Sequence, residues 1–250
     1  MHLRPNIALT LVLSFASTEA QATEPLEVPG FRPAEHVVPD AAARGPRPVV
    51  VILHGNFDRP EWNCEAWTSI VAGRAFILCP RGVPRRDAPG MDRWEYGGRP
   101  ALLREVAAGR AALAARYPGR VGPGPDVWVG FSLGAIHLAP LARGAPTTYP
   151  RIILVEGGLD DWDRRNLARF VAGGGRKIGF VCGREGCKRR AERLAAVLDG
   201  AGGGGRVAFA PIGHNFYGPI LAPTKTVFDW LIEDDERFGL NPAAGSGPRG

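Results

Sequence analysis

Gly130-Phe131-Ser132-Leu133-Gly134 is the stretch of this chain best suited to chemistry. It directly follows the apolar, β-branched run Asp126-Val127-Trp128-Val129. It directly precedes Ala135-Ile136-His137-Leu138-Ala139-Pro140-Leu141, which reads as an apolar helix. Strand, Gly-x-Ser-x-Gly, helix is the context of a nucleophile elbow. The turn is so tight that the residues two before and two after the serine must be small. The serine hydroxyl then projects above a sheet, at a helix N-terminus whose dipole favours developing negative charge.

A serine nucleophile needs a base, and the chain has five histidines. His2 lies at the extreme N-terminus, His36 and His54 precede the serine, and His137 sits on the helix after it. His214, in Gly213-His214-Asn215-Phe216-Tyr217-Gly218, follows the last strand-like run and is the expected base. An oxyanion needs preorganised N–H donors. The Leu133 backbone is one. The other is expected in the loop after Val49-Val50-Val51-Ile52-Leu53, which continues His54-Gly55-Asn56-Phe57. There Gly55 permits a sharp turn and the Asn56 N–H is the expected donor.

The elements that must hold these groups alternate from Pro48 onward. Strands are expected at Val49–Leu53, Ala75–Cys79, 126–129, Arg151–Glu156, Lys177–Cys182 and Val207–Ala210. Helices are expected at Trp62–Ala72, Ala101–Tyr117, 135–141, Trp162–Val171, Lys188–Leu198 and Ile220–Glu233. This is the pattern of an α/β protein: a mostly parallel sheet with helices on both faces. Residues 80–100 form a long Pro/Gly/Arg loop, and loops of that length are often functional. Gly202–Gly205 reads as a glycine-rich turn, and no internal repeat is visible.

The 250 residues, 45% hydrophobic, suit one α/β domain at 48–238. Residues 1–22 read as a signal peptide: a weakly basic start, an apolar Ile7–Phe15 and an Ala20-Gln21-Ala22 cleavage site. That apolar run is too short to span a bilayer, and no cysteine follows the cleavage site to carry a lipid anchor. Residues 23–47 form a Pro/Ala-rich N-terminal segment with at most a short strand or two. Residues 239–250 read as a disordered tail. The expected location is periplasmic or secreted, in a bacterium. There an even number of cysteines suggests disulfides, and proximity favours Cys64–Cys79 and Cys182–Cys187. Zinc is the runner-up for these cysteines, but Cys182-x4-Cys187 lacks the usual spacing, and no metal or cofactor is expected.

The net charge of +6 is spread over scattered arginines. Nucleic-acid binding would need a clustered basic face with interleaved aromatics, and none is visible. Arg81, Arg85, Arg86 and Arg93 share the long loop, where they could attract an anionic substrate.

Strand-His54-Gly55, Gly130-x-Ser132-x-Gly134 and a final His214, in this order, resemble the α/β-hydrolase superfamily over roughly residues 48–235. The resemblance implies an eight-stranded type of sheet, with fewer N-terminal strands here. It also implies a Ser-acid-His triad and hydrolysis of an ester, thioester or amide through an acyl-enzyme. His54-Gly55-Asn56 also resembles the corresponding loop of haloalkane dehalogenases, whose nucleophile is an aspartate; Ser132 argues against that chemistry. The superfamily's acid commonly lies in a strand-Gly-x-x-Asp turn two strands past the elbow. Here that turn reads Cys182-Gly183-Arg184-Glu185-Gly186-Cys187. One strand earlier, Glu156-Gly157-Gly158-Leu159-Asp160-Asp161 contains Gly157-x-x-Asp160 with the right spacing. Asp160 is therefore the expected acid, with Glu185 and then Asp161 as alternatives.

Only about 20 residues separate Glu156 from the Lys177 strand, so no cap domain is expected. Trp62, Trp94, Tyr96, Trp162 and Phe216 could line a groove for aromatic or sugar-linked esters, or could equally staple a small domain; the expected substrate is a small-molecule or polymeric ester. The expected activity is hydrolysis of esters. A peptidase of the same fold and a non-catalytic binding protein on the same scaffold are the alternatives.

Overall fold

The computed structural model describes residues 22–41, 43, 45–88 and 90–239. The strands are β1 (Glu24–Leu26), β2 (Ala34–Val37), β3 (Val49–Leu53), β4 (Phe76–Cys79), β5 (Val83–Pro84), β6 (Trp94–Glu95), β7 (Val127–Phe131), β8 (Arg151–Val155), β9 (Lys177–Cys182) and β10 (Gly204–Phe209). The helices are α1 (Pro60–Val71), α2 (Arg99–Arg116), α3 (Leu133–Gly144), α4 (Arg164–Ala172), α5 (Glu185–Gly200) and α6 (Leu221–Ile232).

β3 has no polar residue because neither of its faces meets water. Val49, Val51 and Leu53 pack in one core cluster with Leu102 and Val106 of α2, Leu138 of α3, Phe170 of α4 and Leu198 of α5. Val50 and Ile52 pack in the other with Trp67 and Ile70 of α1 and Phe228 and Leu231 of α6. The eight-stranded sheet runs β1-β2-β4-β3-β7-β8-β9-β10. Pairing is parallel from β4 to β10, and β2 is antiparallel to both β1 and β4. Helices therefore cover both faces of a mostly parallel sheet.

Three details differ from the sequence reading. The segment 23–47 supplies two strands that complete the eight, so the sheet lacks none at its N-terminal edge. Gly204 and Gly205 belong to β10, not to a turn. They pair with Lys177 and Ile178, and a Cβ on Gly205 would sit 2.5 Å from the Ala195 backbone of α5. Close helix-on-strand packing thus accounts for that glycine. The long loop is also not wholly irregular, because β5 and β6 pair within it.

Both cysteine pairs favoured by proximity are joined: Cys64 of α1 to Cys79 of β4, and Cys182 of β9 to Cys187 of α5. No helix among the described residues is long and apolar enough to cross a membrane. Residues 1–21, which hold nearly all of the expected signal peptide, and residues 240–250 of the expected tail lie outside the described residues.

Candidate active site

The elbow comes from β7 meeting α3 in a single residue. Ser132 has φ 48° and ψ −107°, a left-handed backbone that a β-substituted residue adopts only under constraint. Sterics explain both flanking glycines. A Cβ on Gly130 would lie 2.5 Å from the Ala135 nitrogen, and one on Gly134 would lie 2.4 Å from the Leu53 oxygen. The turn is locked by Ser132 N–H donating to Val155 O at 2.8 Å and by Ile136 N–H donating to Ser132 O at 3.0 Å.

His214 reaches the serine from the loop after β10. That loop is tied to the end of β9: Ala210 N–H donates to Cys182 O, and Gly213 N–H donates to Gly183 O at 3.0 Å. His214 Nε2 lies 2.8 Å from Ser132 Oγ. Its ring lies tilted at 31° to that of Phe131 with centroids 5.4 Å apart, and its side chain is 42% exposed.

The other imidazole nitrogen meets Glu156. His214 Nδ1 is 3.1 Å from Glu156 Oε2. A carboxylate only accepts, so the proton sits on Nδ1, and Nε2 presents its lone pair to the serine hydroxyl. The Glu156 side chain is 0% exposed, and its negative charge is fully hydrogen-bonded. Oε1 accepts from Gly183 N–H at 2.6 Å and from Arg184 N–H at 3.0 Å. Oε2 accepts from Arg184 Nε–H at 2.6 Å as well as from the histidine. A buried carboxylate with donors on both oxygens meets the condition for carrying charge away from water. Like Ser132, Glu156 has φ 48°. Its N–H donates to Val181 O of β9.

The sequence reading of the acid is therefore corrected. Asp160 is not at His214. Its side chain is 92% exposed and pairs with Arg190 at 2.9 Å. The reason is local: Gly157-Gly158 feeds a 3-10 turn over Leu159–Asp161, which carries Asp160 onto the surface beside α5. Asp161 faces Arg143 instead. Glu185 is exposed in the first turn of α5, which begins three residues earlier than expected. The missed signal was a carboxylate, Glu156, directly following the unbroken apolar run Ile152-Ile153-Leu154-Val155.

The loop that carries Asn56 is held from behind. His54 is fully buried, and its ring nitrogens lie 2.8 and 2.9 Å from the carbonyl oxygens of Gly55 and Arg81. Burial pushes its imidazole below the ordinary histidine range. His54 N–H donates to the Tyr96 hydroxyl at 2.7 Å. Buried Asp58 accepts from Arg59 N–H and Asn63 Nδ2. The Leu133 N–H lies in the first turn of α3, where the helix supplies no acceptor. The Asn56 side-chain oxygen accepts from the Arg85 guanidinium.

Among the described residues no large insertion interrupts the chain between β8 and β9. Only the 3-10 turn and α4 lie between β8 and β9. Of the five aromatics considered for a groove, Trp94, Tyr96, Trp162 and Phe216 are buried in the fold, and only Trp62 is exposed, at 37%. Their commonest role is thus packing. Phe216, for instance, stacks on Trp67 at 5.4 Å.

No protein-family model and no curated protein matches the sequence. Solved structures do match in shape. A fluorophosphonate-binding serine hydrolase of Staphylococcus aureus is 11% identical, with a TM-score of 0.58 over 85% of this chain and 98% of its own. A dienelactone hydrolase from Anabaena variabilis is 13% identical, with a TM-score of 0.56 over 86% of this chain and 97% of its own. A thermostable esterase is 16% identical, with a TM-score of 0.54 over 86% of this chain, which spans only 63% of that enzyme's length. With the elbow between β7 and α3, a histidine after the last strand and neighbours of this kind, the chain has the α/β-hydrolase fold.

Proposed function

We propose that this chain is an exported serine hydrolase that cleaves carboxylic esters through an acyl-enzyme. The observation that carries this reading is the continuous line Ser132 Oγ to His214 Nε2 to His214 Nδ1 to Glu156 Oε2, at 2.8 and 3.1 Å. Ser132 Oγ attacks the ester carbonyl while His214 Nε2 takes its proton. Glu156 holds the imidazole in the tautomer that can do so and stabilises its charged form. The negative oxygen of the tetrahedral intermediate accepts from the backbone N–H groups of Leu133 and Asn56. His214 then returns its proton to the leaving alcohol. In the second half, water attacks the acyl-Ser132 ester, giving up its proton to His214, and the acid is released with Ser132 restored.

Among the structural neighbours, the esterase and the fluorophosphonate-binding hydrolase support this class of chemistry. The fully hydrogen-bonded Glu156 favours an enzyme over a binding protein that merely keeps the scaffold. Export, with cleavage after Ala22, is supported by the two disulfides, which persist in oxidising compartments.

A fluorophosphonate probe tests the proposal. The protein is expected to be labelled, and Ser132→Ala to lose the label while keeping its circular dichroism spectrum. An unlabelled wild type, or equal labelling of the variant, refutes the enzyme reading.

A further inference from the structure

Beside the Asn56 loop, three guanidinium groups alternate with two aromatic rings. Arg59 lies 5.6 Å from the Trp62 ring centroid. Arg93 lies 4.8 Å from Trp62 and 5.6 Å from Phe57, and Arg85 lies 5.4 Å from Phe57. This interleaving is not visible in the sequence, because its members come from the β3–α1 connection, α1 and the long loop. Phe57 directly follows Asn56, so the array begins one residue from a proposed oxyanion donor.

Charge within the array is not evenly compensated. Arg59 pairs with Asp92 and Glu61, and Arg85 with Asp87 and Glu95. Arg81, in the same loop, pairs with Glu35 and Glu61. Arg93 sits in the middle and has no carboxylate partner among the described residues. Among the described residues its guanidinium makes one hydrogen bond, donating from Nη1 to the Asp92 backbone oxygen at 2.7 Å. The guanidinium lies over both the Trp62 and the Phe57 rings, and these contacts restrict its rotamers. Its remaining N–H groups have no hydrogen-bond partner among the described residues, and they belong to the fork that matches a carboxylate. The neighbouring carboxylates neutralise the rest of the array, so it suits one anionic group rather than a polyanion.

We propose that Arg93 binds a carboxylate on the substrate, so that the preferred substrates are esters bearing an anionic group apart from the scissile bond. This rests on the proposed hydrolase activity. The carboxylate can belong to the acyl part or to the alcohol part, and two matched pairs separate these. One is 4-nitrophenyl hydrogen adipate against 4-nitrophenyl hexanoate. The other is 4-acetoxybenzoate against its methyl ester.

At low salt, kcat/KM is expected to favour the anionic member of one pair by about tenfold, through KM, since a charge-assisted hydrogen bond at a partly exposed site is of that order. Arg93→Gln is expected to reduce that ratio toward one, and 0.5 M salt to narrow it. Neutral esters cleaved as well as both anionic ones, or a ratio untouched by Arg93→Gln, overturns the proposal and leaves the hydrolase reading intact. A second measurement does not depend on turnover. Calorimetry on Ser132→Ala is expected to detect monomethyl adipate and not dimethyl adipate, and the difference should vanish when Arg93→Gln is added. Equal heats for the two ligands overturn the proposal even if no ester is cleaved.

Discussion

Replacing Glu156 by glutamine separates its role from that of every other carboxylate nearby. The substitution preserves shape and removes one acceptor. Oε1 faces two backbone N–H groups, from Gly183 and Arg184, so the amide oxygen must occupy that position. The amide NH2 then takes the place of Oε2. There it meets two donors, Arg184 Nε–H and His214 Nδ1–H. Donor against donor is repulsive, and His214 can relieve it only by moving its proton to Nε2 or rotating away. Either change removes the lone pair that takes the proton from Ser132. Asparagine in place of a triad aspartate costs about 10⁴ in kcat in the best-studied serine protease. That corresponds to about 5.5 kcal/mol of transition-state stabilisation, and we expect a loss of this order for Glu156→Gln. The Arg184 contact is also lost, so the melting temperature should fall, but the protein should remain folded. The assay is kcat/KM on 4-nitrophenyl esters, with circular dichroism as the control for folding. Asp160→Asn, on the exposed 3-10 turn, should change kcat/KM by less than about threefold, as surface substitutions away from a site do. If Glu156→Gln keeps activity within tenfold of wild type, or Asp160→Asn is the more damaging of the two, the reasoning is refuted.

The two disulfides should fail differently. Chain entropy gives about 3 kcal/mol for a loop the size of Cys64–Cys79 and about 2 kcal/mol for the shorter Cys182–Cys187, with sequence separations of 15 and 5. Thermal melts should therefore show the larger loss for the Cys64→Ala/Cys79→Ala pair. The Cys182–Cys187 bridge spans Gly183 and Arg184, the donors to Glu156, so Cys182→Ala/Cys187→Ala should show the larger loss in kcat. The reverse ranking on both readouts refutes the assignment. For pH, burial lowers His36, His54 and His137 below the ordinary histidine value of 6.5. Below about pH 6.5 the unfolded chain then binds protons that the folded chain refuses, so stability is lost as pH falls through that range. Glu35, Glu105 and Asp126 are raised by burial and oppose this at lower pH, where the folded protein holds the extra protons. The melting temperature should thus be lower at pH 5.5 than at pH 7.5, and a rise on acidification refutes the sign.

The sequence by itself determined whatever depends on near neighbours in the chain. The elbow is legible because Gly130 and Gly134 flank Ser132 within one turn; the approach that excludes a Cβ at Gly130 comes from the same turn and helix, whereas the one at Gly134 comes from Leu53 of the neighbouring strand β3. The parallel sheet is legible because its central strands, β3 above all, are nearly continuous apolar runs. The disulfide pairs are legible because each joins residues close in sequence. His214 is reachable by elimination among five histidines, although its distance from Ser132 is not. Tertiary structure alone decided which carboxylate meets His214. Glu156 and His214 are 58 residues apart and meet because β8 and β9 pair in a register that brings Gly183 and Arg184 over the carboxylate. Gly157-x-x-Asp160 has the right spacing, yet its backbone closes into a 3-10 turn that faces solvent. The unpaired Arg93 is likewise invisible in sequence. Whether an arginine is neutralised depends on which carboxylates the folded loops bring within 4 Å, and composition records only their number.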